Sequence, residues 1–241
     1  MTINISSYLK LNLKQILTNG GLIFGIILSI APSIALSYSI LKLGGPFNIL
    51  HVSSFFCIFG IIVPVILATS SFLKDFHYGT ISMVYSTSKN RIRYFISNII
   101  IAALLGGGFG AVGYGTLYVY SKLGVPGILY PSFPLVFILN FILCVVFFTL
   151  CSYISAMFFE KTSLVYIVLI LAIEILPNLL GTLRLALNNH FLDNIIDNFP
   201  FYFLLTYIPS SNLSISQYIN LTFFLVILFC IGMALTQRKD V

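Results

Sequence analysis

Residues 72–94, FLKDFHYGTISMVYSTSKNRIRY, form the longest polar passage between two apolar runs of this sequence. Thr80 is suited to cap a following helix, since a threonine hydroxyl accepts hydrogen bonds from free backbone N–H groups. In that helix Ile81, Val84 and Tyr85 fall on one face, which predicts a short surface helix with one apolar side. Such a side fits a cleft in a partner protein, and a tight turn tucked under a bilayer is the alternative.

The composition excludes a soluble protein. The chain has 241 residues, of which 59% are hydrophobic and 7% are charged, against about 25% charged residues in an ordinary soluble domain. Apolar runs long enough to cross a hydrocarbon core of about 30 Å recur along the chain. Because these runs are continuous and do not alternate, they predict an all-α polytopic membrane protein and not a β-barrel.

The apolar runs around the loop of residues 72–93 predict a single transmembrane domain over residues 21–241. Residues 1–20 precede it and predict an amphipathic interfacial helix, with a frayed tail as the alternative. The connection over residues 184–216 is too apolar for a solvated loop, and it predicts short re-entrant helices that dip into the outer leaflet. The six spans are expected at residues 21–41, 48–71, 94–120, 135–159, 163–183 and 217–236.

The basic residues give these spans an orientation. If both termini lie on one side, nine Lys and Arg residues share that side and three lie on the other. Because positive residues are retained in the cytoplasm, both termini and the 72–93 loop are predicted to be cytoplasmic. The net charge of +6 therefore reflects topology and not nucleic-acid binding. The nine are Lys10, Lys14, Lys74, Lys89, Arg91, Arg93, Lys161, Arg238 and Lys239, and the three are Lys42, Lys122 and Arg184.

Small residues within the spans point to helix packing. Gly106 and Gly110 form a G-x-x-x-G pattern in the third span, which predicts that another helix backbone approaches closely there. All four cysteines lie inside apolar runs, so we interpret them as packing residues and not as disulfide or zinc ligands.

Glu174 is the only ionisable residue well inside an apolar run. A charge at that depth is costly, so the side chain should face the bundle interior or a hydrated path. Together with Pro177 it is a candidate for lining a translocation path. The alternatives are a cation site, a hydrogen bond between helices, or a broken helix end near the outer surface.

Patterns for catalysis, metal binding and nucleotide binding are missing from the sequence. His51, His77 and His190 are scattered, with no cysteine or carboxylate at metal-ligand spacing. The sequence also lacks G-x-S-x-G, H-E-x-x-H and the phosphate-binding G-x-x-x-x-G-K-[ST] pattern. A transport or channel protein is therefore favoured over an enzyme, and we expect this chain itself to bind no metal and no nucleotide cofactor.

The passage around the 72–93 loop resembles the cytoplasmic loop between the second and third spans of ABC-2 type permease subunits of ABC transporters. That family has an acidic residue, a Gly-Thr pair and a downstream arginine-containing passage in this order. Ser88 departs from the usual proline and Asn98 from a common lysine. Six spans, a preceding amphipathic helix and an apolar outer connection also agree. The matching residues are Asp75, Gly79, Thr80, Ser86, Thr87, Arg91, Arg93 and Tyr94.

The resemblance implies a multi-pass permease of the plasma membrane in a Gram-positive bacterium, similar to exporters of amphipathic or antimicrobial peptides and hydrophobic toxins and to lantibiotic-immunity permeases. It implies two protein partners, which are a separate ATPase subunit holding ATP and Mg and a second permease copy, identical or paralogous. The alternative is an ion or small-solute channel or a secondary carrier without an ATPase. The resemblance assigns ATPase coupling to Asp75, Gly79, Thr80, Ile81, Val84, Tyr85, Arg91 and Arg93.

Overall fold

The apolar runs form long helices in the computed structural model, which describes residues 5–78, 81, 87–159, 161–187 and 189–238. Regular secondary structure in these residues is helical throughout. A π-helical turn, Leu171–Ile175, interrupts the sixth helix. The helices are α1 (Ile5–Thr18), α2 (Gly20–Leu43), α3 (Ile49–His77), α4 (Ser88–Lys122), α5 (Phe133–Phe158), α6 (Thr162–Leu187), α7 (His190–Asp197), α8 (Pro200–Tyr207) and α9 (Ile215–Arg238).

Six of the helices in the described ranges, α2 to α6 and α9, are long and apolar enough to cross a membrane. The shortest of them has 23 residues within its apolar stretch, and about 20 residues suffice to span the hydrocarbon core. The six spanning helices expected from the sequence are therefore present, and they fit a multi-pass membrane protein.

Helices α3 and α4 extend past the apolar runs into the polar passage between them. Helix α3 continues to His77, and α4 begins at Ser88. The Thr87 side chain accepts from the Asn90 backbone N–H at 3.3 Å, so it caps α4 well before the apolar residues begin. The connection between α3 and α4 therefore comprises residues 78–87, and it is shorter than the loop of residues 72–93 expected from the sequence.

Capping residues also fix the turn between α2 and α3. Gly44 ends α2 with a φ of 65°, and its N–H donates to the Ile40 carbonyl; a left-handed residue at this position favours glycine. The Asn48 side chain begins α3 by accepting from the backbone N–H groups of Leu50 and His51. The His51 ring nitrogen Nδ1 in turn accepts a hydrogen bond from the Asn48 backbone N–H, so each side chain caps the backbone of the other residue.

The core of the bundle lies where α4 packs against α5. A Cβ on Gly106 would lie 2.9 Å from the Ile142 Cα, and one on Gly110 would lie 3.0 Å from the Phe141 Cβ. Both glycines therefore face the partner helix at backbone distance, as small residues of membrane helices commonly do. The ring of Phe56 from α3 completes this layer, 6.0 Å from that of Phe141.

The first and last helices both contact the end of the bundle that carries the 78–87 connection, which we call the loop end. The Tyr8 hydroxyl of α1 donates to Asp75 in the last turns of α3. The Arg91 guanidinium in α4 donates to the Gln237 carbonyl of α9 at 2.7 Å. The beginning and end of the bundle therefore share one side, as an even number of spans requires.

Helices α7 and α8 occupy the connection between α6 and α9 at the opposite end. Arg184, in the last turn of α6, forms ion pairs with Asp193 and Asp197 of α7. The Gln217 side chain of α9 donates to the Asp197 carbonyl at 2.8 Å. These contacts hold α7 against both neighbouring spans, and the depth of this segment in a leaflet stays a prediction.

Candidate functional site

The Asp75 carboxylate is the centre of the hydrogen bonds at the loop end. Its Oδ2 accepts from the Tyr94 hydroxyl at 2.8 Å and from the Tyr8 hydroxyl at 3.2 Å. The two tyrosine rings also contact each other edge to face, with centroids 5.5 Å apart. Asp75 thus joins α1, α3 and α4 directly below the connection that the sequence assigns to partner binding.

Tyr8 keeps its proton in this arrangement. Burial raises the pKa of the Tyr8 phenol above its ordinary value, and the negative charge of Asp75 raises the pKa further. A neutral phenol donates to a carboxylate, whereas a phenolate would repel it. The link between α1 and Asp75 therefore rests on a donor that is stable at neutral pH.

Ile81 lies inside the chain's own core. Only 5% of its surface is exposed, and it belongs to a buried cluster with Phe72, Tyr94, Phe95 and Tyr153. Its side chain therefore anchors the 78–87 connection to the bundle. The other predicted members of the coupling helix, Gly79, Thr80, Val84 and Tyr85, lie outside the described residues.

The basic residues of this passage differ in their surroundings. Lys89 is exposed to solvent, whereas Arg91 and Arg93 are half-buried. Because Arg91 bonds to the Gln237 carbonyl, it ties α4 to the last turn of α9. Of these three basic residues at the start of α4, Lys89 is therefore the exposed one.

Sequence reasoning missed the part that Tyr8 plays at the loop end. Tyr8 and Asp75 are 67 residues apart, and no local pattern links a phenol on an interfacial helix to a carboxylate at the end of a span. The apolar character of residues 1–20 predicted the helix but not the partner of the half-buried Tyr8 hydroxyl. Only the packing of α1 across α3 and α4 brings the two groups together.

A cavity of about 810 Å³ opens between α3, α6 and α8 towards the opposite end. Both residues predicted to line a path, Glu174 and Pro177, face this cavity. Glu174 lies twelve residues after Thr162, which places it about 18 Å along α6 and close to the middle of the span. The cavity therefore extends from that depth to the end where Arg184 stands.

The polar wall of the cavity belongs to α6. Glu174, Asn178 and Thr182 recur at intervals of four residues and share one face of the helix. The Asn178 amide donates to the Glu174 backbone carbonyl oxygen at 2.6 Å, so this bond leaves the Glu174 carboxylate unused. The facing wall from α3 is largely apolar and includes Phe55, Ile58 and Ile61.

The π-helical turn lies beside this polar face. The Leu176 N–H donates to the Leu171 carbonyl, five residues earlier, in place of the usual four. Pro177 follows at once and has no N–H, so it cannot continue the regular ladder. The wider turn accommodates the proline, and single π-helical turns of this kind are frequent at functional sites.

An ion-pair network lies at the mouth of the cavity, where Arg184 forms part of the wall. The Arg184 Nη1 lies 2.5 Å from an Asp197 carboxylate oxygen, and its Nε lies 3.8 Å from Asp193. The Tyr207 hydroxyl donates to the same Asp197 oxygen at 3.2 Å. The Arg184 guanidinium is therefore paired with two carboxylates. The Arg184 side chain also lines the cavity.

Comparison with models of known protein families and with curated proteins finds no match to this chain. Within the described residues, no group of three or more His, Cys, Asp or Glu side chains is placed to hold a metal ion.

Proposed function

We propose that this chain is the membrane-spanning permease subunit of an ATP-binding cassette exporter of the ABC-2 type. In this proposal both termini and the 78–87 connection are cytoplasmic, and the chain lies in the cell membrane. A separate ATPase subunit binds and hydrolyses ATP, and a second permease copy completes the transporter. Amphipathic molecules leave the membrane or the cell by way of the cavity between α3, α6 and α8.

The construction of the loop end supports this proposal. Asp75, Tyr8, Tyr94 and the buried Ile81 fix the base of one short connection to three helices. A force applied to such a connection moves the helices with it, which is what coupling to a motor protein requires.

The partner is tested by purification from the native membrane. We expect the tagged chain, solubilised in mild detergent, to carry a protein that hydrolyses ATP and contains a phosphate-binding loop. Lys89→Glu reverses an exposed charge beside the connection, and we expect it to lower the amount of bound ATPase by at least about fivefold. Lys122→Glu makes the same change at the opposite end and should leave the ATPase bound.

Ile81→Asp is the variant that the sequence alone would suggest, but it is a poor test. A charge at a side chain with 5% exposure would disturb the permease itself. Lys89 avoids this problem because its side chain is exposed. Wild-type protein that is folded and active but carries no ATPase would overturn the proposal.

A secondary carrier is the second candidate, and Glu174 is the observation that favours it. A lone carboxylate near the middle of a span is typical of residues on an ion or proton path. Transport by the purified chain alone, driven by an ion gradient in vesicles without ATP, would favour the carrier. Transport that requires the ATPase and ATP would favour the exporter.

A further inference from the structure

The charges around the α3–α6–α8 cavity are unequal. Three carboxylates, those of Glu174, Asp193 and Asp197, stand in or beside it, against the single guanidinium of Arg184. Arg184 is the one basic residue among the described residues that line the cavity. Asp193 and Asp197 pair with Arg184, so the formal charge of these four groups is negative and favours a cation over an anion in the cavity.

Glu174 carries the unsatisfied part of this charge. No ion pair or side-chain hydrogen bond of its carboxylate is found within the described ranges, where Arg184 supplies the ion pairs. At the mouth, Asp193 Oδ1 is buried and accepts no hydrogen bond from the described residues, although Arg184 Nε lies 3.8 Å away. Because Glu174 lines the cavity and Asp193 does not, Glu174 is the carboxylate that keeps capacity for a positively charged donor.

The opposite wall of the cavity suits an apolar chain. Phe55 and Ile58 of α3 leave 42% and 45% of their surface exposed, and both line the cavity. The volume of about 810 Å³ lies within the range of about 300–1,000 Å³ that is typical of sites for small ligands. The space therefore fits a single headgroup with part of its tail, and not a folded protein domain.

We propose that the α3–α6–α8 cavity binds a cationic amphiphile, with its ammonium group at the Glu174 carboxylate and its apolar chain along Phe55 and Ile58. This inference rests on the proposed function and names the class of molecule transported. An anionic amphiphile is disfavoured, since it would meet Glu174 and would have to displace Asp193 or Asp197 from Arg184. A neutral one would gain nothing from the carboxylate.

The test measures binding by the purified chain alone, without ATPase or ATP, in nanodiscs of phosphatidylcholine. Three photoreactive probes share one dodecyl chain and differ in the headgroup, which is an amine, an alcohol or a sulfate. Labelled peptides are mapped by mass spectrometry. Labelling of a second cavity near Tyr114, Tyr118 and Lys122 corrects for the different partitioning of the probes into lipid.

In the wild-type protein we expect the amine to label the α3–α6–α8 cavity at least about fivefold more than the alcohol or the sulfate. Glu174→Gln should remove this preference, because it keeps the shape of the side chain and deletes the charge. Glu174→Asp should retain most of it. Lys122→Gln, which alters a charge in the second cavity, should change nothing at the first.

A second pair of probes separates the two sources of an ammonium group. One is a short apolar peptide with a single lysine, and the other carries norleucine at that position. The labelling ratio of the lysine peptide to the norleucine peptide is compared with the ratio of the dodecyl amine to the dodecyl alcohol. A larger ratio for the peptides assigns the site to peptides, and a larger ratio for the dodecyl probes assigns it to lipid-like amines. Both results support a cationic amphiphile.

Equal labelling by the three dodecyl probes in the wild-type protein would overturn the inference, whatever the variants do. A preference for the amine that survives unchanged in Glu174→Gln would overturn the role of the carboxylate. Since no motor protein takes part, either result leaves the proposal of an ATP-driven exporter standing. Loss of the ATPase partner in the purification described above would in turn leave the binding result intact.

Discussion

Two phenols share the Asp75 carboxylate, that of Tyr94 at 2.8 Å and that of Tyr8 at 3.2 Å. Hydrogen bonds to a charged acceptor contribute about 1.5–3 kcal/mol each to stability, more than bonds between neutral groups. Tyr94 is fully buried, so its hydroxyl has no access to water if the acceptor is lost. Asp75 consequently decides how α1 and α4 sit against the end of α3.

We expect Tyr8→Phe and Tyr94→Phe each to lower the free energy of unfolding by about 1–3 kcal/mol. Both changes remove one donor to Asp75 and keep the ring in place. The measurement is thermal unfolding in detergent, together with the rate at which protease cuts within α1. Tyr38→Phe is the matched control because that side chain is 64% exposed. Unfolding temperatures that are equal in all three variants would contradict the role of Asp75.

The pH dependence of the Tyr8 contact has a definite sign. Burial, and then the charge of Asp75, raise the pKa of Tyr8. A group whose pKa rises on folding gives stability that is complete below its unfolded pKa, about 10 for tyrosine, and lost as the pH climbs through the folded value. The difference in unfolding temperature between wild type and Tyr8→Phe should therefore stay constant from about pH 6 to about pH 9. A decline within that interval would assign the contact to another titrating group.

The apolar pattern of residues 81–85 shows what a local sequence pattern can predict and what it cannot. The spacing of Ile81 predicted an apolar helix face, but a pattern reports that a face is apolar and not what covers it. The structure buries Ile81 against Phe72 and Tyr94 of the same chain. Glu174 was different, because a charge within an apolar run excludes lipid on energetic grounds alone, and this limits its surroundings to a cavity or a polar partner.

Helices α4 and α5 approach closely because the glycines of α4 leave room for the backbone of α5. The sequence predicted this approach from Gly106 and Gly110, since their spacing places both on one face. Gly108 lies between them, and a Cβ there would meet nothing within 4 Å. The same helix therefore offers tolerant and intolerant positions two residues apart.

We expect Gly106→Ala and Gly110→Ala each to destabilise the protein by about 1–3 kcal/mol. The added Cβ atoms would lie 2.9 Å from the Ile142 Cα and 3.0 Å from the Phe141 Cβ, so α5 would have to move away. Gly108→Ala should be neutral or slightly stabilising, because alanine favours helix by about 1 kcal/mol. Thermal unfolding of the three variants in one detergent makes the comparison. Similar losses at all three positions would show that helix flexibility, and not close packing, explains the glycines.

Helix α6 combines features that the sequence predicted separately. Glu174 and Pro177 indicated a polar path or a broken helix end, and the structure places both on the wall of one cavity. The π-helical turn was not predicted, because a proline in a span is equally compatible with a simple kink or a broken helix. Its position depends on how α6 packs between α3 and α8, which no local pattern records.

The whole molecule separates its basic residues between the two ends of the bundle. Lys74, Lys89 and Arg91 lie at the loop end, and Lys161 joins them because the start of α6 borders the same small cavity as Lys74. Lys122 and Arg184 lie at the opposite end. This separation follows from the alternating direction of the spans, and the positive-inside rule predicts that the loop end is cytoplasmic.

Labelling of single cysteines tests this orientation. The background is a variant in which the four native cysteines are replaced by alanine, since Cys230 is exposed and would react. Ile128→Cys lies at the opposite end with 79% of the native side chain exposed, and we expect it to react with a membrane-impermeant maleimide in intact cells. Ser88→Cys lies at the exposed start of α4 and should react only after the membrane is permeabilised.

The two positions flank the same helix, so their labelling pattern must reverse if the orientation is opposite. The background variant without cysteines should stay unlabelled and controls for other reactive groups. Reaction of Ser88→Cys and protection of Ile128→Cys in intact cells would put the 78–87 connection outside the cell. A cytoplasmic ATPase could not then reach Lys89, and the exporter proposal would fail, whereas the glycine contacts of α4 and α5 would be unaffected.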